Sequence, residues 1–122
     1  MAFGTLKADT LTHSTAGSLD TNFVVEGSAK HWTQFSQQGV QALDDSFNCS
    51  TITDGGVGIT TLSFSSSTAS GNYSAQCTHS DNQMNTAALS KTTSSYRVDA
   101  RNDAGTFGDK GNYGTVVHGD LA

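Results

Sequence analysis

The sequence predicts an all-β fold, a small antiparallel β-sandwich or barrel with an extended N-terminal arm, on three observations. Apolar residues recur with period two in run after run, as on strands with one buried face. Short Gly, Asn and Asp clusters separate the runs and tolerate the positive φ that hairpin turns need. Helical periodicity is weak: only Phe35 to Leu43 and Met84 to Leu89 approach i, i+3, i+4 spacing, and both stretches are short.

The elements follow in order. Phe3 to Leu11 alternates weakly, and Leu19 to Val25 reads as a second extended piece, with Ala16-Gly17-Ser18 between them. Such segments carry too little apolar surface to fold alone. Residues 1–28 are therefore expected to be an arm that mounts the protein or joins copies of it, through Phe3, Leu6, Leu11, Phe23 and Val25. Residues 29–122 are expected to form the β domain. There, Phe47 and Cys49 share a face in a strand around Ser46 to Ile52, and Leu62 and Phe64 share one in Ile59 to Phe64. Tyr73, Ala75, Cys77 and His79 line up in the next run, and Tyr96, Val98 and Ala100 in the one after. Asp54-Gly55-Gly56-Val57-Gly58 reads as a hairpin turn, and Ser70-Gly71-Asn72 and Asn102-Asp103-Ala104-Gly105 as further turns. A last strand covers Thr115 to Gly119.

The expected core anchors are Trp32, Phe35, Phe47, Leu62, Phe64, Tyr73, Tyr96 and Val98. Trp32 with Phe35 could instead make an aromatic sugar platform. A buried anchor is preferred, because Trp32 is the single Trp of a core-poor chain. The Gly-rich stretch 105–114 offers a candidate ligand loop with Phe107, Asp109, Lys110 and Tyr113.

Composition bounds the function. Of 122 residues, 33 are Ser or Thr and only 34% are hydrophobic, so the core of one subunit is small and self-association is expected. The net charge is −5, and the six cationic residues are scattered rather than clustered, which argues against nucleic-acid binding. No run approaches the roughly 20 apolar residues of a membrane span, so no membrane insertion is expected. The first residues lack the basic start and apolar run of a signal peptide, which suggests synthesis in the cytoplasm before assembly. Cys49 and Cys77 are read as small thiols in neighbouring strands rather than a disulfide.

Catalytic and metal chemistry finds little support. Asp44-Asp45 is the only acidic pair, lacks the oxygen-ligand spacing of a calcium loop, and reads as a solvated strand edge. His13, His31, His79 and His118 show no zinc spacing. Gly56-Val57-Gly58 would need its third glycine at Thr61, inside a strand, which removes a dinucleotide reading. No GxSxG elbow is present. The expectation is a protein that is not an enzyme and uses no cofactor.

Several spaced strings resemble one family. Ala29-Lys30-His31-Trp32-Thr33-Gln34-Phe35, then Asp45 through Gly58 (DSFNCSTITDGGVG), is similar to a module of tail-fibre-like proteins from phages of marine bacteria, in which an "AKAWVNF"-like strand precedes "DSFNVSSITDNGTG". Ile59 to Phe64 takes the place of that module's "YTVNF", Gly71-Asn72-Tyr73 that of its "ANY", and Phe3 to Thr12 looks like its "GTLKVDTL" opening. The resemblance covers about residues 3–75; Cys49 replaces an aliphatic residue, and nothing beyond Tyr73 follows the pattern. It implies a virion protein on the particle surface, partnered by other phage virion proteins. One reading is a short homotrimeric tail fibre or fibre tip, mounted by the arm and displaying the β domain to a host surface glycan or protein. The alternative is a capsid decoration or head-fibre protein, and a glycan-degrading enzyme is a distant third.

Overall fold

The computed structural model describes Gly4, residues 7–80 and residues 84–122. Period-two patterning becomes ten strands and one short helix among these residues. The strands are β1 (Thr10–His13), β2 (Gly17–Asp20), β3 (His31–Ser36), β4 (Ala42–Phe47) and β5 (Cys49–Asp54). They continue with β6 (Ile59–Phe64), β7 (Ser74–Thr78), β8 (Met84–Leu89), β9 (Ser95–Asn102) and β10 (Tyr113–His118), and the helix α1 spans Thr21–Gly27. Two four-stranded sheets, β4-β3-β10-β7 and β5-β6-β9-β8, pair antiparallel throughout and enclose one core. The architecture is thus all-β and sandwich-like, not a barrel.

Alternation decides what enters the core. On β9, Tyr96, Val98 and Ala100 are fully buried, and on β6 so is Leu62, with Phe64 nearly so. Phe35, Tyr113 and Val117 answer from the other sheet, and Phe35 stacks on Tyr113 at 4.9 Å between ring centroids. Tyr73 closes one end against Phe64, at 5.6 Å. Leu43, Cys49, Ile52, Ala75, Cys77 and Ala88 pack around this cluster half-buried. Phe35 to Leu43 and Met84 to Leu89, the two weak helical patterns, lie in strands and their connections.

Asn48 makes the corner between the sheets. Its φ of 56° bends the chain from β4 into β5. Its amide nitrogen donates to the carbonyls of Lys30 (2.9 Å) and Ser66 (3.0 Å), and its amide oxygen accepts from the Ser66 N–H at 2.6 Å. The expected single strand around Ser46 to Ile52 is therefore two strands in different sheets. Phe47 does not share a face with Cys49 and is 53% exposed, not a core anchor.

Trp32 requires the same correction. On β3 the inward residues are His31, Thr33 and Phe35, so Trp32 points outward and is 38% exposed. Residues three apart on a strand face opposite ways. Phe35 and Trp32 could not both be core.

The hairpin at Asp54 to Gly58 forms as expected. The Gly55 N–H donates to the Ile59 carbonyl and the Gly56 N–H to Asp54 Oδ1, with Gly56 and Gly58 at positive φ. At Asn102, the Gly105 N–H returns to the Asn102 carbonyl at 2.8 Å. Cys49 and Cys77 are free thiols, but they lie in β5 and β7, strands of different sheets rather than neighbours.

The segment before Ser28 is less extended than expected. β1 and β2 form a hairpin through Gly17 at φ 92°, with Leu11 opposite Leu19. Leu19 to Val25 is not a second strand: the chain turns into α1 after Asp20, whose backbone occupies the N-cap position. The first turn of α1 is held by the Thr21 hydroxyl and N–H, which donate to the carbonyls of Ala8 and Asp9. Phe3 and Leu6 lie outside the described residues.

Candidate functional site

Four surfaces or clusters gather the chemistry of the described residues. The first is the arm. Leu11, Leu19, Phe23 and Val25 are 44%, 46%, 62% and 64% exposed, although all four are large and apolar. Leu11, Val24 and Val25, with Lys7, Ala8, Asp9 and Thr21, line an open groove of about 500 Å³ between the hairpin and α1. The arm is tied to the sandwich at its base, where the Lys30 ammonium donates to the Val25 carbonyl and to Ser28 Oγ. His118 Nδ1 lies 3.1 Å from the Gly27 carbonyl, the second tie.

The second is the outer face of β4-β3-β10-β7. Strand register sets Phe47, Trp32, Val116 and Gln76 side by side across the four strands. The next row is Asp45, Gln34, Gly114 and Thr78. A β-bulge between Gln34 and Phe35 leaves Asp44 beside this row, and both aspartates are exposed on the sheet-edge strand β4. Asp45 spends one carboxylate oxygen on the Ser46 N–H at 2.8 Å. The amides of Gln34 and Gln76 have no hydrogen bond within the described chain. Glycine at 114 leaves a notch between Gln34 and Thr78; a Cβ there would meet only Thr78 Oγ1, at 3.4 Å.

The third is polar and internal. His31 is fully buried between the sheets, with Nδ1 3.2 Å from the Asn48 carbonyl and Nε2 2.9 Å from Tyr96 Oη. Tyr96 Oη lies 2.7 Å from Thr115 Oγ1, which is 2.6 Å from Thr33 Oγ1. A carbonyl can only accept, so His31 carries its proton on Nδ1, and Nε2 accepts from the Tyr96 hydroxyl. The same Tyr96 hydroxyl lies within hydrogen-bond distance of Thr115 Oγ1. Burial pulls the His31 pKa below 6.5, only partly opposed by the bond to Asn48, and burial pushes the Tyr96 phenol up. Both groups are neutral at pH 7, and the chain of bonds satisfies atoms that the core would otherwise leave dry and unpaired.

The two arginines of the chain sit on β9, either side of Asp99, on the outer face of the other sheet. Asp99 is 2% exposed; its carboxylate lies 2.7 Å from Arg97 Nε and 3.5 Å from Arg101 Nη2. The Arg101 guanidinium sits over the Phe107 ring at 4.0 Å. This ion-paired ladder compensates a buried carboxylate and pins the 105–107 turn.

The candidate ligand loop 105–114 is held against the sandwich by several of its own residues. Phe107 is the shelf under Arg101, and Asp109 Oδ1 accepts from the Gly58 N–H at 2.6 Å. The Lys110 carbonyl accepts from the Gln37 N–H, and Tyr113 is a fully buried residue of β10. These contacts turn the loop inward and bind it to the sandwich. Of the anchor residues, Phe35, Leu62, Phe64, Tyr73, Tyr96 and Val98 lie in the core. The buried roles of His31 and Asp99 were not read from the sequence, although alternation with Phe35 would have placed His31 inside.

Among the described residues no cluster of three or more His, Cys, Asp or Glu could hold a metal ion. Among them, too, no helix is long and apolar enough to cross a membrane. In comparisons with known proteins, no family model, no curated protein and no solved structure matches the chain.

Proposed function

We propose that the chain is a non-catalytic structural protein of a bacteriophage virion, a short tail-fibre or fibre-tip component. It mounts through residues 1–28, assembles as a homotrimer on other virion proteins, and displays the sandwich for host attachment. The observation that carries this reading is the exposure of Leu11, Leu19, Phe23 and Val25 on an arm joined to a sandwich that already has its own core. Contiguous apolar surface in water is unfavourable by about 25 cal/mol per Å², so such a face gains free energy when another chain covers it. The resemblance of residues 3–75 to tail-fibre-like proteins supplies the particle.

The test is electron microscopy of labelled particles from the phage that encodes the chain, beside particles carrying the chain without residues 1–28. Label at the tail tip that disappears with the arm supports the proposal. Label over the shell assigns a capsid decoration instead, and incorporation that persists without the arm refutes arm mounting. Sedimentation of the purified full chain at micromolar concentration gives trimers, and a stable monomer refutes obligate assembly.

A further inference from the structure

We infer that the outer face of β4-β3-β10-β7 binds a neutral glycan, with Trp32 and Phe47 as the stacking floor and Gln34, Asp45 and Gln76 as the hydroxyl-binding rim. The inference rests on the reading of the sandwich as the host-facing part of the protein and names what that part recognises.

Trp32 and Phe47 are register partners on adjacent strands, so their side chains leave the sheet side by side. Both stay in water although a core lies one residue away in sequence. The amount of exposed aromatic surface selects the size of the occupant. At 38% and 53% exposure, two rings of roughly 150–250 Å² each leave on the order of 200 Å² open. A stable protein partner needs about 800 Å² on each side, so a second copy or a folded partner is poorly matched by this patch. A sugar ring fits it: one face of a pyranose is apolar C–H surface, and its edge is hydroxyls that need donors and acceptors.

The surroundings supply those groups in the adjoining positions. Gln34 and Gln76 offer amides without partners in the described chain, and Asp45 keeps a carboxylate oxygen beyond its bond to Ser46. Few, fixed polar groups around an aromatic floor give orientation to a weakly held ligand. The missing side chain at Gly114 opens the floor beside Trp32 toward Thr78.

Charge selects among glycans. Asp45 lies on this face in register with Gln34, and Asp44 is exposed beside it at the bulge of β4. Lys30, two residues before Trp32, directs its ammonium to the Val25 carbonyl and Ser28 Oγ at the arm base. His118, next along β10, is tied to the Gly27 carbonyl. An acidic face of this kind repels uronates, sulfates and phosphates and admits uncharged sugars.

Trp32 is the only tryptophan, so its emission reports this face alone. The full-length chain is titrated with linear hexasaccharides of glucose, mannose and galactose, and with hexagalacturonate as the acidic comparator. At least one neutral hexasaccharide is expected to change the emission saturably, and hexagalacturonate to leave it unchanged. Phe47→Ala should weaken the apparent affinity about tenfold, as loss of a central aromatic contact does, and Gln34→Ala by a smaller factor. Trp32→Ala, followed by calorimetry, should abolish binding. All three side chains point outward, so circular dichroism should stay that of the parent chain.

The inference is overturned if none of the neutral sugars moves the Trp32 emission, if binding survives Trp32→Ala, or if hexagalacturonate binds as well as the neutral series. Failure here is distinct from failure of the virion reading. A particle-borne protein that binds none of these sugars refutes only the glycan, and a glycan-binding chain absent from particles refutes only the station.

Discussion

Acid should destabilise this protein through His31. In the folded chain its imidazole is buried and neutral, donating to the Asn48 carbonyl and accepting from Tyr96, and burial lowers its pKa below 6.5. In the unfolded chain the ring is free to take a proton near 6.5. A base with a depressed folded pKa contributes its stability in full above the unfolded value. That stability is lost as pH falls below 6.5, because the unfolded state then binds the extra proton. The slope is at most about 1.4 kcal/mol per pH unit for one proton, so the loss by pH 5.5 is at most about 1.4 kcal/mol. It ceases to grow once pH passes below the folded pKa. Urea unfolding at a series of pH values, followed by circular dichroism, measures the slope for the parent and for His31→Gln. The variant is less stable at pH 7, but its curve between pH 6.5 and 5.5 should be flatter by up to one proton. Equal slopes, or an NMR titration of His31 at or above 6.5 in the folded protein, would refute the reasoning.

The other predictions concern packing and reactivity. Tyr96→Phe removes the hydroxyl that bonds both His31 Nε2 and Thr115 Oγ1 in a dry interior, and should cost about 1–3 kcal/mol in urea unfolding. Leu62→Ala, at a fully buried position, should cost about 2–5 kcal/mol, whereas Trp32→Ala, at an outward-facing position, should cost less than half as much. Gly58→Ala forces a Cβ to within 2.6 Å of the Ala100 carbonyl at φ 69°. It should lose more thermal stability than Gly39→Ala, which has the same φ and open space around it. Burial pushes the Cys77 thiol up to about 11, so its alkylation by iodoacetamide at pH 8 should be far slower than that of a free cysteine.

Alternation and turn chemistry made the strands legible before any coordinates. β6, β9 and the turn at Asp54 to Gly58 follow directly from Leu62 and Phe64, from Tyr96 and Val98, and from the glycines between them. Alternation fixes which residues share a face, but only within one uninterrupted strand. It fails wherever the chain turns a corner. Asn48, at φ 56°, ends β4 and starts β5 in the opposite sheet. The parity that tied Phe47 to Cys49 is reset there, and no local pattern announces it.

The composition determined by itself that the core would be small and the fold all-β, because few large apolar residues occur and those few recur at period two. Which aromatic residues fill that core was a tertiary decision. Phe35 and Tyr113 stack inside because β3 and β10 pair in one register; the register of β3 with β4 sets the outward Trp32 beside Phe47. Asp99 is buried because Arg97 and Arg101 fold over it. The candidate glycan face exists for the same reason: sequence supplies the aromatic and amide side chains, and only strand pairing sets residues from distant parts of the chain next to each other on one side of a sheet.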